Sequence, residues 1–216
     1  MGREGKALPN AVATEAVEAS EPCSASFLTR LGIVGMESVE PAILAALINA
    51  DPLLLIGPHG VGKSYLLTRL ADALMLDHRH YNASLLSFDD LVGYPMPNGS
   101  GSLEYVKTPA SIWGAQAVFL DEISRCRPEV QNKLFSIIHE RRVQGLDLPD
   151  LIYRWSAMNP PATEQTDSLY TGSEPLDAAL ADRFSFIVEI PDWQQMSPPS
   201  RSGWTGGRRP ARNNSF

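Results

Sequence analysis

The sequence predicts an α/β fold: a mostly parallel five-stranded sheet, covered by helices on both faces and interrupted by hairpin insertions. Continuous apolar runs of buried-strand type alternate along the chain with segments of helical period, and strands covered on both faces read in this way. One such run leads through a glycine-rich loop into a helix, the arrangement that lies at the ligand crevice of open parallel sheets. With 216 residues, 44% of them hydrophobic, the chain has material for one sizeable core and not for two full domains.

The elements follow in order. Residues 1–25 are rich in Ala, Glu and Ser without apolar periodicity, which predicts a mobile tail ahead of a core spanning 26–193. Val39, Ile43, Leu44, Leu47 and Ile48 recur at helical spacing over 38–50, and Asp51-Pro52 stops that helix before a strand at 53–56. A second helix over 64–76 carries the stripe Leu66, Leu67, Leu70, Ala71 and Leu74, followed by a strand at 79–82 and a short helix at 88–92. Turn residues between short extended pieces predict a hairpin over 93–106. The apolar strand 117–120 precedes a helix over 128–140, with Pro128 at its start and Val130, Leu134, Ile137 and Ile138 on one face. Gly145 and Pro149 mark a second hairpin within 141–151, ahead of strands at 153–158 and 184–190. A helix from Leu176 ends just before the last strand, and the basic, aperiodic stretch 194–216 predicts a disordered tail.

The chemistry starts at Gly57-Pro58-His59-Gly60-Val61-Gly62-Lys63-Ser64-Tyr65, a complete phosphate-binding loop, which makes the fold a P-loop NTPase. Glycines let backbone N–H groups wrap a triphosphate closely. Lys63 reaches the β- and γ-phosphates, the Ser64 hydroxyl can ligate Mg²⁺, and the helix N-terminus adds partial positive charge. Asp121 and Glu122 stand at the end of the apolar strand: Asp121 is suited to hold Mg²⁺ through a water, and Glu122 to deprotonate an attacking water. Asn159, at the end of the next strand, can hydrogen-bond that water or the γ-phosphate, although Asn before Pro is also an ordinary turn starter. Arg183 suits an arginine finger, against the plain alternative of a helix-end Arg paired with Asp182. Arg125, Arg127, Arg141, Arg142 and Arg154 read mostly as surface or interface charges.

Composition narrows the partners. A net charge of −7 argues against indiscriminate binding to nucleic acid or anionic lipid. Cys23 and Cys126 match no metal spacing and suit reduced thiols in a cytoplasmic protein. No apolar stretch approaches membrane-spanning length, the four His residues form no metal set, and the four Trp residues read as core or interface.

The phosphate loop, Val118-Phe119-Leu120-Asp121-Glu122-Ile123, the Asn159-Pro160 turn and Leu180-Ala181-Asp182-Arg183-Phe184, in this order, resemble AAA+ ATPases over about residues 30–193. The stretch Thr108-Pro109 through Arg125, then Pro128 to Arg141-Arg142-Val143, is most similar to the MoxR branch. That resemblance implies ATP as the nucleotide, Val34 and Gly35 near its base, and the two hairpins as family insertions. It also implies a homo-oligomeric ring, commonly a hexamer, with Arg183 acting on ATP held by the neighbouring subunit. Client remodelling with a von Willebrand factor A domain partner would follow, and the helical lid such proteins carry is expected to be truncated, frame-shifted or supplied by another chain. Two other readings stay open: a lid-less ATP-binding regulatory module with little hydrolysis, and a nucleic-acid translocase subunit.

Overall fold

The computed structural model describes residues 26–161 and 176–192. The two expected tails, Cys23, Trp193 and Trp204 lie outside these residues.

In chain order the elements are α1 Phe27–Arg30, α2 Glu40–Asn49, β1 Leu53–Ile56, α3 Lys63–Ala73, β2 His78–Asn82, α4 Phe88–Val92, β3 Tyr94–Pro97, β4 Leu103–Val106 and β5 Ala117–Asp121. A 3₁₀ turn at Ile123–Arg125 leads to α5 Pro128–Glu140, β6 Arg142–Val143, β7 Leu146–Asp147, β8 Tyr153–Met158, α6 Ala178–Ala181 and β9 Phe186–Glu189. The main sheet has five parallel strands in the order β2-β5-β8-β1-β9. The expected insertions are the separate antiparallel hairpins β3–β4 and β6–β7.

Alternation along the strands splits the core into two layers. Leu54, Val118 and Leu120 face a layer closed by Val130, Leu134, Ile137 and Ile138 of α5. Leu53, Leu55, Phe119 and Trp155 face the layer under Ile43 and Leu47 of α2 and Leu66, Leu67 and Leu70 of α3. The sheet is therefore covered on both sides, which is why the inner strands β1 and β5 are almost wholly apolar.

Helix ends differ from the periodicity reading for local reasons. α2 starts at Glu40 because Pro41 fits the first turn, where a missing N–H costs nothing, and Ala50 in left-handed conformation (φ 53°) ends it. Ile48, expected on the apolar stripe, is 83% exposed, and Leu74 falls beyond the end of α3, followed by Met75 at φ 53°. The last helix starts late because the Asp177 side chain accepts from the N–H groups of Ala179 and Leu180, capping it at that point. At Gly93 (φ 90°) a Cβ would lie 2.2 Å from the Val106 carbonyl oxygen, so glycine alone lets β3 and β4 close on each other there.

Arg154 corrects the expectation of surface charge. It is 5% exposed, and its guanidinium donates to the carbonyl oxygens of Ile138 (3.0 Å), Ala50 (2.9 Å) and Ile152 (2.5 Å). It thereby ties the ends of α5 and α2 to β8. Burial, reinforced by nearby Arg141 and opposed by Asp51, lowers its pKa to about 10.

Cys126 is a free, buried thiol whose pKa burial pushes up to about 11. It is expected to resist iodoacetamide at pH 8 in the native protein and to react fully in denaturant, so intact mass should differ by at least one adduct between the two conditions. Equal labelling would contradict this burial.

Candidate functional site

The phosphate loop is locked at both sides where it leaves β1. Gly57 N–H donates to Met158 O at 3.2 Å on the β8 side, and Ile190 N–H donates to Ile56 O at 2.7 Å on the β9 side. A Cβ on Gly57 would stand 3.0 Å from Ile190 Cβ and 3.2 Å from its carbonyl oxygen, so a larger residue there would push the loop away from β9. Gly62, at φ 88°, caps α3, so Lys63 and Ser64 occupy the first helical turn with their N–H groups unclaimed by earlier carbonyls of the helix. Val61 is buried, Pro58 is half-buried, and His59, Gly60 and Tyr65 face solvent.

Lys63 is 7% exposed, and its ammonium donates to Gly57 O (2.6 Å), Pro58 O (2.8 Å) and Asn159 Oδ1 (3.2 Å). Burial pulls its pKa down to about 8, against the opposing pull of Asp121 and Glu122. A polyphosphate placed against the ammonium would raise that pKa again. Nucleotide binding is therefore expected to take up as much as one proton above pH 8, with affinity flat below that pH and falling above it. Titration calorimetry at pH 9 in two buffers of different ionisation heat checks this: identical apparent enthalpies would contradict it.

Asp121, at the end of β5, accepts from Ser64 Oγ at 2.8 Å and from the Glu122 N–H at 2.9 Å. His80 of β2 stacks on Phe119 with centroids 4.3 Å apart and brings Nε2 within 3.7 Å of Asp121 Oδ2. Burial raises the Asp121 pKa, but the nearby His80 imidazole and the hydrogen bonds from Ser64 Oγ and the Glu122 N–H outweigh it, and the net shift is downward. Asp121 is an anion at neutral pH. Its carboxylate and the Ser64 hydroxyl form an all-oxygen pair that fits Mg²⁺, a hard cation that keeps several waters. Among the described residues no three His, Cys, Asp or Glu side chains gather into a cage for a metal ion, so ligands beyond this pair would come from phosphate oxygens and water.

Glu122 sits in left-handed conformation (φ 53°) and carries a carboxylate oxygen 3.3 Å from Arg125 Nη1. Asn159 lies at the end of β8 beside Lys63. Arg183 stands apart: its guanidinium is half-exposed, 3.8 Å from Asp182 Oδ2, with no bond to the loop. Val34 and Gly35 belong to a segment that abuts the loop, since a Cβ on Gly62 would lie 3.8 Å from Met36 Cε; Gly35 N–H donates to Glu37 Oε1 at 3.2 Å. The structure thus brings Lys63, Ser64, Asp121, Glu122 and Asn159 together and leaves Arg183 outside. His80 and the Arg125–Glu122 pair were not anticipated. The signal for His80 lay in strand parity, because β2 pairs with β5 in a register that sets His80 opposite Phe119.

Residues 52–184 match the AAA domain of the dynein-related subfamily. Among curated proteins, the chain is 27% identical over 175 residues to structural protein ORF618 of Acidianus two-tailed virus, covering 74% of this chain and 26% of that protein. It is 33% identical over 136 residues to BssE of Thauera aromatica, a candidate chaperone, covering 61% of this chain and 48% of BssE. The chain therefore spans less than half the length of either relative. Among solved structures, a candidate ATPase from Cytophaga hutchinsonii superposes with a TM-score of 0.58 at 23% identity, over 80% of this chain and 50% of that one. Hsp104 with ATPγS and FITC-casein gives 0.54 at 17% identity, over 75% and 34%. Both likenesses bear on the fold alone. The parallel sheet, the loop on β1 and a matching stretch longer than half the sequence identify the chain as a member of the dynein-related AAA domain family of AAA+ ATPases.

Proposed function

We propose that this chain binds ATP with Mg²⁺ in the crevice and hydrolyses it, as a MoxR-type ATPase that remodels a protein client or metalloenzyme complex. The supporting observation is the pair of bonds joining three strand ends, Ser64 Oγ to Asp121 at 2.8 Å and Lys63 Nζ to Asn159 at 3.2 Å. They draw a cation-binding carboxylate, a phosphate-binding ammonium and the Asn159 amide around one loop, with Glu122 next in the chain to that carboxylate.

In this reading the N–H groups at the start of α3 receive the phosphates, and Lys63 gives up the Gly57 and Pro58 carbonyls for phosphate oxygens. Ser64 and Asp121 would hold Mg²⁺, which supplies charge neutralisation to the transferring phosphoryl group. Glu122 accepts a proton from the water that attacks the γ-phosphorus as the bond to the ADP oxygen breaks. Asn159 orients that water. Arg183, outside its own crevice, suits an arginine finger reaching the neighbouring subunit's ATP in a ring. The likeness to BssE supports a chaperone role, and a partner with a von Willebrand factor A domain is part of the same proposal.

Lys63→Ala in the full chain is expected to abolish ATP turnover and weaken binding of a fluorescent ATP analogue by at least about tenfold, the loss of one charge-assisted contact. Parent-level binding and turnover in that variant would refute the proposal.

A further inference from the structure

A cleft of about 480 Å³ opens between the two hairpins, and its walls include no residue of the loop 57–64 and none of Asp121, Glu122 and Asn159. It lies at the opposite ends of the strands that carry the nucleotide residues: Ala115 and Leu151, on its wall, come just before β5 and β8.

Its floor is aromatic and fixed. The Trp113 indole N–H donates to Val92 O at 2.6 Å, and Tyr105 leans on the same ring at a centroid distance of 6.3 Å. The rim is acidic. Asp147 is already paired with Arg142 Nε at 2.8 Å, whereas Glu104 and Asp150 have no cationic partner among the described residues. The Lys107 ammonium stands 5.6 Å from the Trp113 ring centre, so this indole already receives a cation. Two unpaired carboxylates against one lysine leave the cleft net negative above a flat π-face. A guanidinium satisfies both features at once: it stacks on an aromatic ring and donates in its plane to carboxylates.

We propose that this cleft binds an arginine-bearing segment of a partner protein, with the guanidinium on Trp113 between Glu104 and Asp150. An ammonium would match the charge but not the planar fork, and an acidic segment would meet repulsion from both carboxylates. The Lys107 head group moves off the ring when the arginine arrives. Nucleotide hydrolysis is not part of this inference.

The test uses the full chain and a fluorescein-labelled peptide, Gly-Ser-Leu-Arg-Leu-Ser-Gly, with Lys and Glu analogues at the central position, read by anisotropy at 50 and 300 mM salt. The Arg peptide is expected to bind tightest and to weaken in salt, and the double variant Glu104→Gln/Asp150→Asn to lose about tenfold in affinity. Lys107→Ala should strengthen binding by vacating the ring, and ATP turnover should be unchanged in both. Equal affinities for the Arg and Glu peptides, or an unchanged affinity in the double variant with an unchanged melting temperature, would overturn the proposal. Residues 193–216 contain four arginines and no acidic residue, and so provide a competing occupant. Replacing Arg201, Arg208, Arg209 and Arg212 by Ser in the full chain is expected to leave peptide affinity unchanged. A gain of about tenfold would identify the chain's own segment as the occupant and overturn the partner assignment.

Discussion

Glu122→Gln is expected to lower ATP turnover by about 10²- to 10⁴-fold, the usual contribution of a general base, while nucleotide affinity stays near that of the parent. The substitution keeps the shape and an oxygen that can still accept from Arg125, 3.3 Å away. It removes the capacity to take a proton. Because Glu122 does not bond to Lys63 or Ser64, and Asp121 keeps its bond to Ser64, binding should survive. Phosphate release under saturating ATP, set beside equilibrium binding of a fluorescent analogue, separates the two effects. Turnover within about twofold of the parent would remove Glu122 from the role of base. A parallel loss of binding would mean that the variant damages the crevice instead.

The second large effect concerns Arg183→Ala, for which a loss of about 10³-fold or more in turnover is expected if it serves as a finger. Its position suits action across subunits, since its guanidinium bonds to no described residue of its own crevice and faces Asp182 at 3.8 Å. Mixing distinguishes the two geometries. Lys63→Ala chains lack a working site but present Arg183, and Arg183→Ala chains have the site but no finger. In an equimolar mixture with head-to-tail contacts, about a quarter of the interfaces combine a working site with a working finger, so activity should return on mixing two inactive preparations. A mixture as inactive as its components would place Arg183 within its own subunit's chemistry or outside catalysis altogether.

The sheet, the loop and the two acids were legible because each is written in contiguous residues: an apolar run with a glycine loop, or an apolar run ending in carboxylates. The insertions were legible from turn residues alone. What escaped depends on register between distant segments. Arg154 sits in a strand whose other residues, Tyr153 excepted, are buried, and its most distant partner, the carbonyl of Ala50, is fixed by how α2 ends rather than by anything near position 154. His80 meets Asp121 across two strands, and the floor of the second cleft depends on Trp113 reaching back to Val92. Ile48 and Leu74 misled for the opposite reason, because periodicity continues in the letters past the point where the core, or the helix itself, has ended.

The position of β1 has a consequence for how the protein is made. Leu53 pairs with Trp155 on one side and Phe186 on the other, both synthesised long after it. Gly57 to Ser64 therefore leave the ribosome early yet lack their second wall until residue 190 has followed, and closing loops of that length is slow. A nascent chain stalled short of β9 carries the whole phosphate motif in an unfinished crevice. ATP, binding the completed sheet in preference to its precursors, would add about 2.7 kcal/mol to the finished fold at a hundred times its dissociation constant. In the cell the nucleotide would thus act first as a late folding ligand, selecting chains whose translation has passed β9.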